Sequence, residues 1–236
     1  MKSQSGVTKL ISRTISKRGF LSFLTGISTL TLARRSSVKA AEGEAPEQTF
    51  GVMPATPINR IPREDLPPHM QKSWDGAKEL HGDTTFVETF GNAPQLYEWY
   101  MNDYYGKVFR SGNIDKRIME LVRLRLANVH GCAFCNRGDR IAALEAGVAL
   151  EQVKQLDDYE DGPFSDKEKA ALALADVMVL TNPKGMLTQK LYDRAREHFT
   201  DGQLMELGVN MAVLCGMAKF LFAYDLVEKE DYCPFL

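Results

Sequence analysis

The chain has 236 residues, of which 44% are hydrophobic and 25% charged, the composition of an ordinary globular protein large enough for a substantial core. Eight of its 29 basic residues fall within residues 1–40, where no acidic residue occurs. The other 21 stand against 31 acidic residues, which gives residues 41–236 a formal charge of −10. Because binding to phosphates requires a basic surface, this charge argues against nucleic acid as a partner.

Residues 1–40 have the pattern of a cleavable export signal. Basic residues precede a moderately apolar run at residues 20–33, which is too short to span a bilayer, so we expect no stable membrane insertion. Residues 16–21 (SKRGFL) resemble a twin-arginine motif with Lys in the first position, and residues 38–40 (VKA) suit a cleavage site. We therefore expect export to the periplasm. A mitochondrial presequence leading to the matrix and an unprocessed tail are the alternatives.

Two further segments follow the signal. Residues 41–70 contain six prolines, which interrupt regular structure and predict an extended arm along the body or along a neighbouring subunit. Residues 71–236 are predicted to form a helical domain, because apolar residues recur at helical spacing and no run alternates long enough for a strand. The predicted fold class is therefore all-α. The predicted helices cover approximately residues 69–80, 93–108, 115–129, 132–146, 151–157, 166–181, 188–198 and 201–224.

Two of these helices have unusual compositions. The helix at residues 93–108 has an aromatic stripe, which is typical of a core or a subunit interface and less often forms a substrate wall. The helix at residues 201–224 is nearly all apolar from residue 207 to residue 222, and we expect it to be buried.

The residues Cys132 and Cys135 form a CxxC motif on the first turn of a predicted helix. Two cysteines at this spacing can cycle between dithiol and disulfide, and a helix N-terminus stabilises the attacking thiolate. A purely structural disulfide is the alternative, but a disulfide that closes so small a loop stabilises the fold little through chain entropy. A zinc site would need two more ligands, and Cys215 and Cys233 do not form a second close pair.

Glu120 is a second candidate site residue. It lies twelve residues before Cys132 on the preceding predicted helix, which ends at Gly131. Because the chain turns back at that glycine, the Glu120 carboxylate can fold over the cysteine pair and accept a proton, directly or through water or His.

Several stretches around these residues have a combined pattern. They are residues 115–125 (DKRIMELVRLR), residues 131–135 (GCAFC), residues 142–148 (AALEAGV) and residues 164–172 (FSDKEKAAL). The pattern resembles the AhpD-like alkylhydroperoxidase branch of the carboxymuconolactone decarboxylase family, and the resemblance covers about residues 90–225.

The resemblance implies an all-helical fold that assembles into homo-trimers or homo-hexamers. It also implies a disulfide-cycling site that reduces a hydroperoxide or exchanges with a disulfide substrate, drawing electrons from a donor protein and requiring no metal or organic cofactor. In the family the second cysteine reacts and the first resolves it. Carried over, Cys135 attacks the peroxide and Cys132 closes the disulfide.

The chain departs from the family pattern at Asp139, where the family has a His four residues after the second cysteine. One helical turn from Cys135, a carboxylate repels a thiolate and raises the pKa of the thiol. Asp139 either acts as a base together with Glu120 or tunes the pair away from peroxidase chemistry. His130 is a possible substitute proton acceptor, although a His at a helix end is commonly a surface or capping residue. The helix dipole favours Cys132 as the more acidic thiol, so the order of attack stays open.

Two other functions remain open from the sequence. One is an enzyme of the same fold without redox chemistry, similar to the lactone decarboxylases of the family. The other is a non-catalytic assembly module whose cysteines no longer react.

Overall fold

The computed structural model describes residues 51–236, and within this range the fold is all-α, as predicted. The predicted export signal at residues 1–40 lies outside the described residues, as do the first ten residues of the predicted arm. A short 3-10 turn precedes the first α-helix, and α3 continues directly into a π-helix (Trp99–Phe109). The α-helices run in the order α1 (Pro68–His81), α2 (Thr85–Phe90), α3 (Pro94–Glu98), α4 (Lys116–His130), α5 (Ala133–Glu145), α6 (Leu150–Lys154), α7 (Asp166–Met178), α8 (Gln189–Arg196) and α9 (Asp201–Ala223).

The predicted helices are all present, with small shifts at their ends, and α2 is an addition that the sequence pattern did not predict. Its six residues are too few for a repeating apolar pattern. The helix forms because Phe86 and Phe90 are buried, and because the Asp83 carboxylate accepts the backbone N–H of Thr85 at 2.9 Å.

The helix α4 lies at the centre of the fold and packs against α5, α7 and α9. Its two apolar sides serve two separate cores. Val122 belongs to the larger core with α7 and α9, whereas Leu121 and Leu124 belong to a smaller core with α6 and α7. Leu124 is fully buried, and burial of such a side chain stabilises the fold by about 1.5–3 kcal/mol. This packing fixes the orientation of the polar residues that α4 carries.

Residues 51–62 lie along the body of the same chain. Val52 pairs with Lys229 in an antiparallel bridge with N–H to O distances of 2.8 and 3.0 Å, and the Ile61 N–H donates to the Glu88 carbonyl. The helix α1 begins at Pro68, because a proline at the first helical position loses no hydrogen bond. The helical body therefore starts slightly before residue 71.

The helix α9 is buried on one face only, so the expectation that the whole helix is buried is wrong for the chain by itself. Leu207 and Met211 face the core, whereas Met205 and Val209 are 69% and 49% exposed. By length and composition α9 is apolar enough to cross a membrane. A core helix of a soluble fold has the same composition, and α9 packs against both α4 and α7.

Candidate active site

The cysteine pair lies at the junction of α4 and α5. Gly131 ends α4 in a left-handed conformation, with φ 66° and ψ 38°, which glycine adopts without steric cost. Cys132 is the N-cap of α5, and its Sγ accepts the backbone N–H of Cys135 at 3.2 Å. The two cysteines form a disulfide, with their Cα atoms 5.2 Å apart. The sulfurs therefore meet on the first helical turn, as the spacing predicts.

The two sulfurs differ in their access to solvent. Cys132 is 1% exposed, whereas Cys135 is only partly buried. Both line a cavity of about 520 Å³ that opens to the surface. The wall of the cavity is mostly apolar and aromatic, and includes Ala77, Leu80, His81, Phe86, Tyr97, Tyr100, Tyr105, Arg123, His130, Phe134, Asp139 and Leu214. A substrate much larger than a water molecule can therefore reach Cys135.

A cluster of charged side chains lies beside the pair. The Arg123 Nη2 atom is 2.7 Å from a carboxylate oxygen of Glu120, and its Nε atom is 3.1 Å from a carboxylate oxygen of Asp139. Its guanidinium also stacks on the ring of Tyr105, with 5.5 Å between the guanidinium carbon and the ring centroid. Two carboxylates thus share one guanidinium in a site where Glu120 is 1% exposed.

The pKa of Asp139 reflects this arrangement. Burial raises the pKa of its carboxyl to about 6; Arg123 opposes the shift and Glu120 reinforces it. Two ionised carboxylates with one guanidinium leave a net negative charge in a buried site, which favours the uptake of one proton. At the position where the family pattern has His, this chain therefore has a carboxyl group that titrates in the range of a His.

Arg123 changes the expectation for Asp139. From the spacing alone, Asp139 should repel a thiolate on Cys135. Arg123 lies between α4 and α5 and compensates part of that negative charge. Its location three residues after Glu120 on α4 was a visible signal for an ion pair on one helix face. Its contact with Asp139 depends on how α4 and α5 cross and could not be predicted from spacing.

His130 is not a surface residue. It is 1% exposed, and its Nε2 atom accepts the backbone N–H of Leu180 at 3.0 Å. Burial lowers the pKa of His130 to about 4, so its imidazole is neutral near neutral pH. Because the acceptor nitrogen is already occupied, the geometry argues against His130 as a proton acceptor for the cysteines.

His81 is a residue that spacing could not connect to the site. It is the last residue of α1, and its imidazole stacks on Phe134, inside the CxxC motif, with 3.8 Å between the ring centroids. It is 7% exposed and lines the same cavity as the cysteines. The structure therefore brings an imidazole to the site from outside the α4–α5 segment.

The other two cysteines lie apart from any metal-binding arrangement. The Cys215 Sγ donates to the Met178 carbonyl and the Cys233 Sγ donates to the His130 carbonyl, each at 3.2 Å. Among residues 51–236, no three His, Cys, Asp or Glu side chains are grouped so as to hold a metal ion.

The C-terminal segment, residues 226–236, packs behind the cysteine turn. The N–H of Glu230 donates to the Gly131 carbonyl at 2.9 Å, and the N–H of Phe134 donates to the Glu228 carbonyl at 3.3 Å. A Cβ atom on Gly131 would lie 2.6 Å from the Cα atom of Cys233. The turn that carries the cysteines is therefore held from behind by the backbone of this segment.

Substitution of Gly131 by alanine is expected to destabilise the protein. The left-handed conformation costs a residue with a side chain about 1 kcal/mol, and the overlap with Cys233 forces the backbone to move, so we expect a total loss of about 3 kcal/mol. Urea unfolding measures this loss. The matched control is Gly112→Ala, which also has a positive φ (85°) but has no neighbouring atom within 4 Å of the new Cβ. Equal stabilities of the two variants would contradict the role of the segment.

A sequence model of the carboxymuconolactone decarboxylase family matches residues 94–177. The uncharacterized protein YdfG of Bacillus subtilis (strain 168) is 30% identical over 102 residues, which cover 43% of this chain and 69% of YdfG. The chain belongs to the carboxymuconolactone decarboxylase family. The matched segment contains Glu120, both cysteines and Asp139, whereas His81 lies before it.

Solved structures of the same fold include an alkylhydroperoxidase AhpD core and a debrominase. One is an alkylhydroperoxidase AhpD core, a peroxidase-related protein of Ralstonia eutropha JMP134, with a TM-score of 0.57, 15% identity, and coverage of 75% of this chain and 95% of that one. Another is the debrominase Bmp8, with a TM-score of 0.59, 17% identity, and coverage of 76% and 95%. A cysteine-to-alanine variant of Bmp8 has been solved in complex with 2,3,4-tribromopyrrole. At these identities the likeness shows a shared fold.

Proposed function

We propose that the protein reduces organic hydroperoxides with the Cys132–Cys135 pair, which cycles between dithiol and disulfide. The observation that carries this proposal is the position of the disulfide on the wall of a large apolar cavity. The same wall carries the carboxyl group of Asp139, whose pKa lies near 6. A thiol, a proton acceptor and space for an organic substrate are the three parts that this reaction needs.

In the first step Asp139 takes the proton of the Cys135 thiol. This transfer relieves the excess negative charge of the Glu120–Arg123–Asp139 cluster, because the charge moves to the sulfur. The thiolate attacks the terminal oxygen of the hydroperoxide, and the O–O bond breaks. The leaving alkoxide takes the proton from Asp139 and departs as an alcohol, and Cys135 becomes a sulfenic acid.

In the second step Cys132 attacks the sulfur of the Cys135 sulfenic acid. The S–S bond forms and the S–O bond breaks, and the hydroxyl leaves as water with the proton of Cys132. The hydroperoxide is thus reduced to an alcohol and water, and two thiols are oxidised to one disulfide. Glu120 assists by holding Arg123 in place. Its negative charge also keeps the net charge of the cluster negative, which favours the uptake of a proton by Asp139.

The different exposure of the sulfurs supports Cys135 as the one that meets the substrate. Cys132 is buried at the helix N-cap, where the Cys135 N–H donates to its sulfur. That position suits a leaving group. When a donor protein's thiolate attacks the more accessible sulfur, that of Cys135, Cys132 leaves as a thiolate stabilised by the helix N-terminus.

Reductive debromination of a small aromatic compound is a second candidate. The aromatic wall of the cavity, to which Tyr97, Tyr100 and Tyr105 contribute, suits a flat apolar ring, and Bmp8 shares the fold. The same pair supplies two electrons in this reaction. The carbon–bromine bond is replaced by carbon–hydrogen, bromide and a proton leave, and the two thiols become a disulfide.

We further propose that the protein works outside the cytoplasm as a homo-trimer or homo-hexamer, reduced by a donor protein. The pattern of residues 1–40 supports export, with the mitochondrial matrix as the alternative. The outer face of α9, where Met205 and Val209 are exposed, supports burial against another subunit.

A thiol count on the full chain tests the proposed function. The reduced protein is mixed with one equivalent of cumene hydroperoxide or of tribromopyrrole, and its thiols are counted after denaturation. We expect the four thiols to fall to two with cumene hydroperoxide, while one cumyl alcohol forms. Bromide release with the same thiol loss would instead support debromination. An unchanged count with both compounds would support the non-redox enzyme or the assembly module.

A further inference from the structure

We infer that His81 of α1 donates a hydrogen bond to the sulfur of Cys135 when the pair is reduced, and so supplies the imidazole that is absent from position 139. This inference rests on the proposed function and adds a residue from outside the matched family segment. Three features of the structure support it: the packing of the His81 ring against α5, the hydrogen bond that its Nδ1 atom accepts, and the side of α5 on which its Nε2–H lies.

The imidazole of His81 sits against one face of α5. It stacks on Phe134 with an angle of 27° between the rings, and its Cε1 atom is 4.0 Å from the place of a Cβ on Gly138. Residues 134 and 138 are one turn apart and share a face of the helix. A Cβ at position 138 would be in ordinary van der Waals contact with the ring, so the imidazole lies directly over this face of α5.

Arg137 fixes the tautomer of His81. Its Nε–H donates to the Nδ1 atom of His81 at 3.4 Å, so the ring proton is on Nε2. The guanidinium is itself held by Glu228, which is fully buried and accepts from the Arg137 Nη2 atom. Burial, together with the positive charge of Arg137, lowers the pKa of His81 to about 4. The imidazole is therefore a neutral donor near neutral pH.

The free Nε2–H faces the cysteine side. On α5, residues 135 and 137 lie on opposite flanks of the face shared by residues 134 and 138. Because Nδ1 is turned to Arg137 and Cε1 lies over Gly138, Nε2 lies on the flank of Cys135. Both side chains line the cavity. A hydrogen bond from this nitrogen stabilises the Cys135 thiolate and helps Asp139 to take its proton.

Other charged groups lie around the cavity, and the test has to separate their effects. Arg110, Arg123 and Asp139 line the cavity with the two cysteines. Glu120 pairs with Arg123, and Glu228 of the C-terminal segment pairs with Arg137. All of them remain unchanged in the variants of His81 described next.

Two amide substitutions of His81 separate the roles of the two ring nitrogens. His81→Gln places an amide N–H near the position of Nε2, whereas His81→Asn keeps an acceptor for Arg137 near the position of Nδ1 and has no donor toward Cys135. The measurement is the pH dependence of Cys135 alkylation by iodoacetamide in the reduced full chain carrying Cys132→Ser, which gives the pKa of one thiol and needs no hydroperoxide.

We expect His81→Asn to raise the pKa of the Cys135 thiol by about one unit and to slow its oxidation by cumene hydroperoxide about ten-fold, because a hydrogen bond to an anion is lost. The oxidation rate of the His81→Gln variant should stay within about three-fold of the rate of the parent protein. Equal thiol pKa values in all three proteins, or a larger change in the Gln variant than in the Asn variant, would overturn the inference.

A second measurement uses the protein without a change at His81. The nitrogen NMR signals of its imidazole are recorded with the pair oxidised and reduced, and we expect the Nε2–H signal to move on reduction while Nδ1 stays unprotonated. An Nε2–H signal that does not respond to reduction would overturn the inference, even if hydroperoxide is still consumed. If the Nε2–H signal responds to reduction but the protein does not reduce hydroperoxide, the result would count against the proposed function and not against the inference.

Discussion

Cys135→Ser is expected to abolish hydroperoxide reduction, whereas Cys132→Ser should retain a single turnover. The reason is the difference in access: Cys135 is partly buried and lines the cavity, while Cys132 is 1% exposed under the first turn of α5. With Cys132 replaced, Cys135 is still oxidised to a sulfenic acid but cannot be resolved within the chain. Dimedone labelling followed by mass spectrometry detects that sulfenic acid.

The matched control for this pair is Cys215→Ser. Cys215 is buried in α9, donates to the Met178 carbonyl and does not line the cavity, so its variant should reduce hydroperoxide at the rate of the unaltered protein. A sulfenic acid on Cys132 in the Cys135→Ser variant would reverse the assignment, as the helix dipole alone suggests. Labelling of neither cysteine would count against the proposed chemistry altogether.

Asp139→Asn is expected to slow the oxidation of Cys135 about 100-fold above pH 6, the usual contribution of a positioned proton acceptor. The pKa of Asp139 is raised to about 6, so its carboxyl is ionised and able to accept a proton above that pH and is protonated below it. In the unaltered protein the rate should therefore fall as the pH drops through about 6. Stopped-flow measurement of the first oxidation across this range shows whether the step disappears in the Asn variant.

This loss of rate should not come with a loss of stability. A raised carboxyl pKa means that the folded state favours the protonated form of Asp139. The contribution of Asp139 to the free energy of unfolding therefore falls as the pH rises from 3.8 to about 6, and it stays at that lower value above pH 6. Asn resembles the protonated form, and Arg123 keeps its contact with Glu120. We therefore expect the variant to be at least as stable at pH 7. Glu145→Gln, the same loss of charge at an exposed position of α5, is the control. A similar slowing in both variants would indicate a general effect of charge.

The helices and the cysteine turn could be predicted because they depend on local sequence. The apolar spacing of α4, the break at Gly131 and the CxxC spacing each act within a few residues, and the structure has all three. The expected approach of Asp139 to Cys135 depends only on helical periodicity. The aromatic stripe favours a core or a subunit interface over a substrate wall. In the structure Tyr100 and Tyr105 serve as both core and cavity wall, since they pack in the core and line the cavity.

The remaining site residues depend on how separate helices pack. Arg123 reaches Asp139 only because α4 and α5 cross closely, and His81 reaches Phe134 only because α1 ends against α5. The same limit explains the error for α9: its composition indicates burial, but the composition does not say whether the same chain or another chain covers each face. These relations come from tertiary structure, which periodicity does not encode.

Both ends of the described chain meet at the rear of the disulfide turn. The N–H of Gly51 donates to the buried carboxylate of Glu228 at 2.7 Å, and the bridge between Val52 and Lys229 follows directly. A truncation at residue 226 would therefore remove the Glu228 carboxylate that orients Arg137. The hydrogen bond from Arg137 that fixes the orientation of the His81 ring would then be lost. Recombinant versions of this protein should therefore retain residues 226–236 and the backbone around residues 51 and 52.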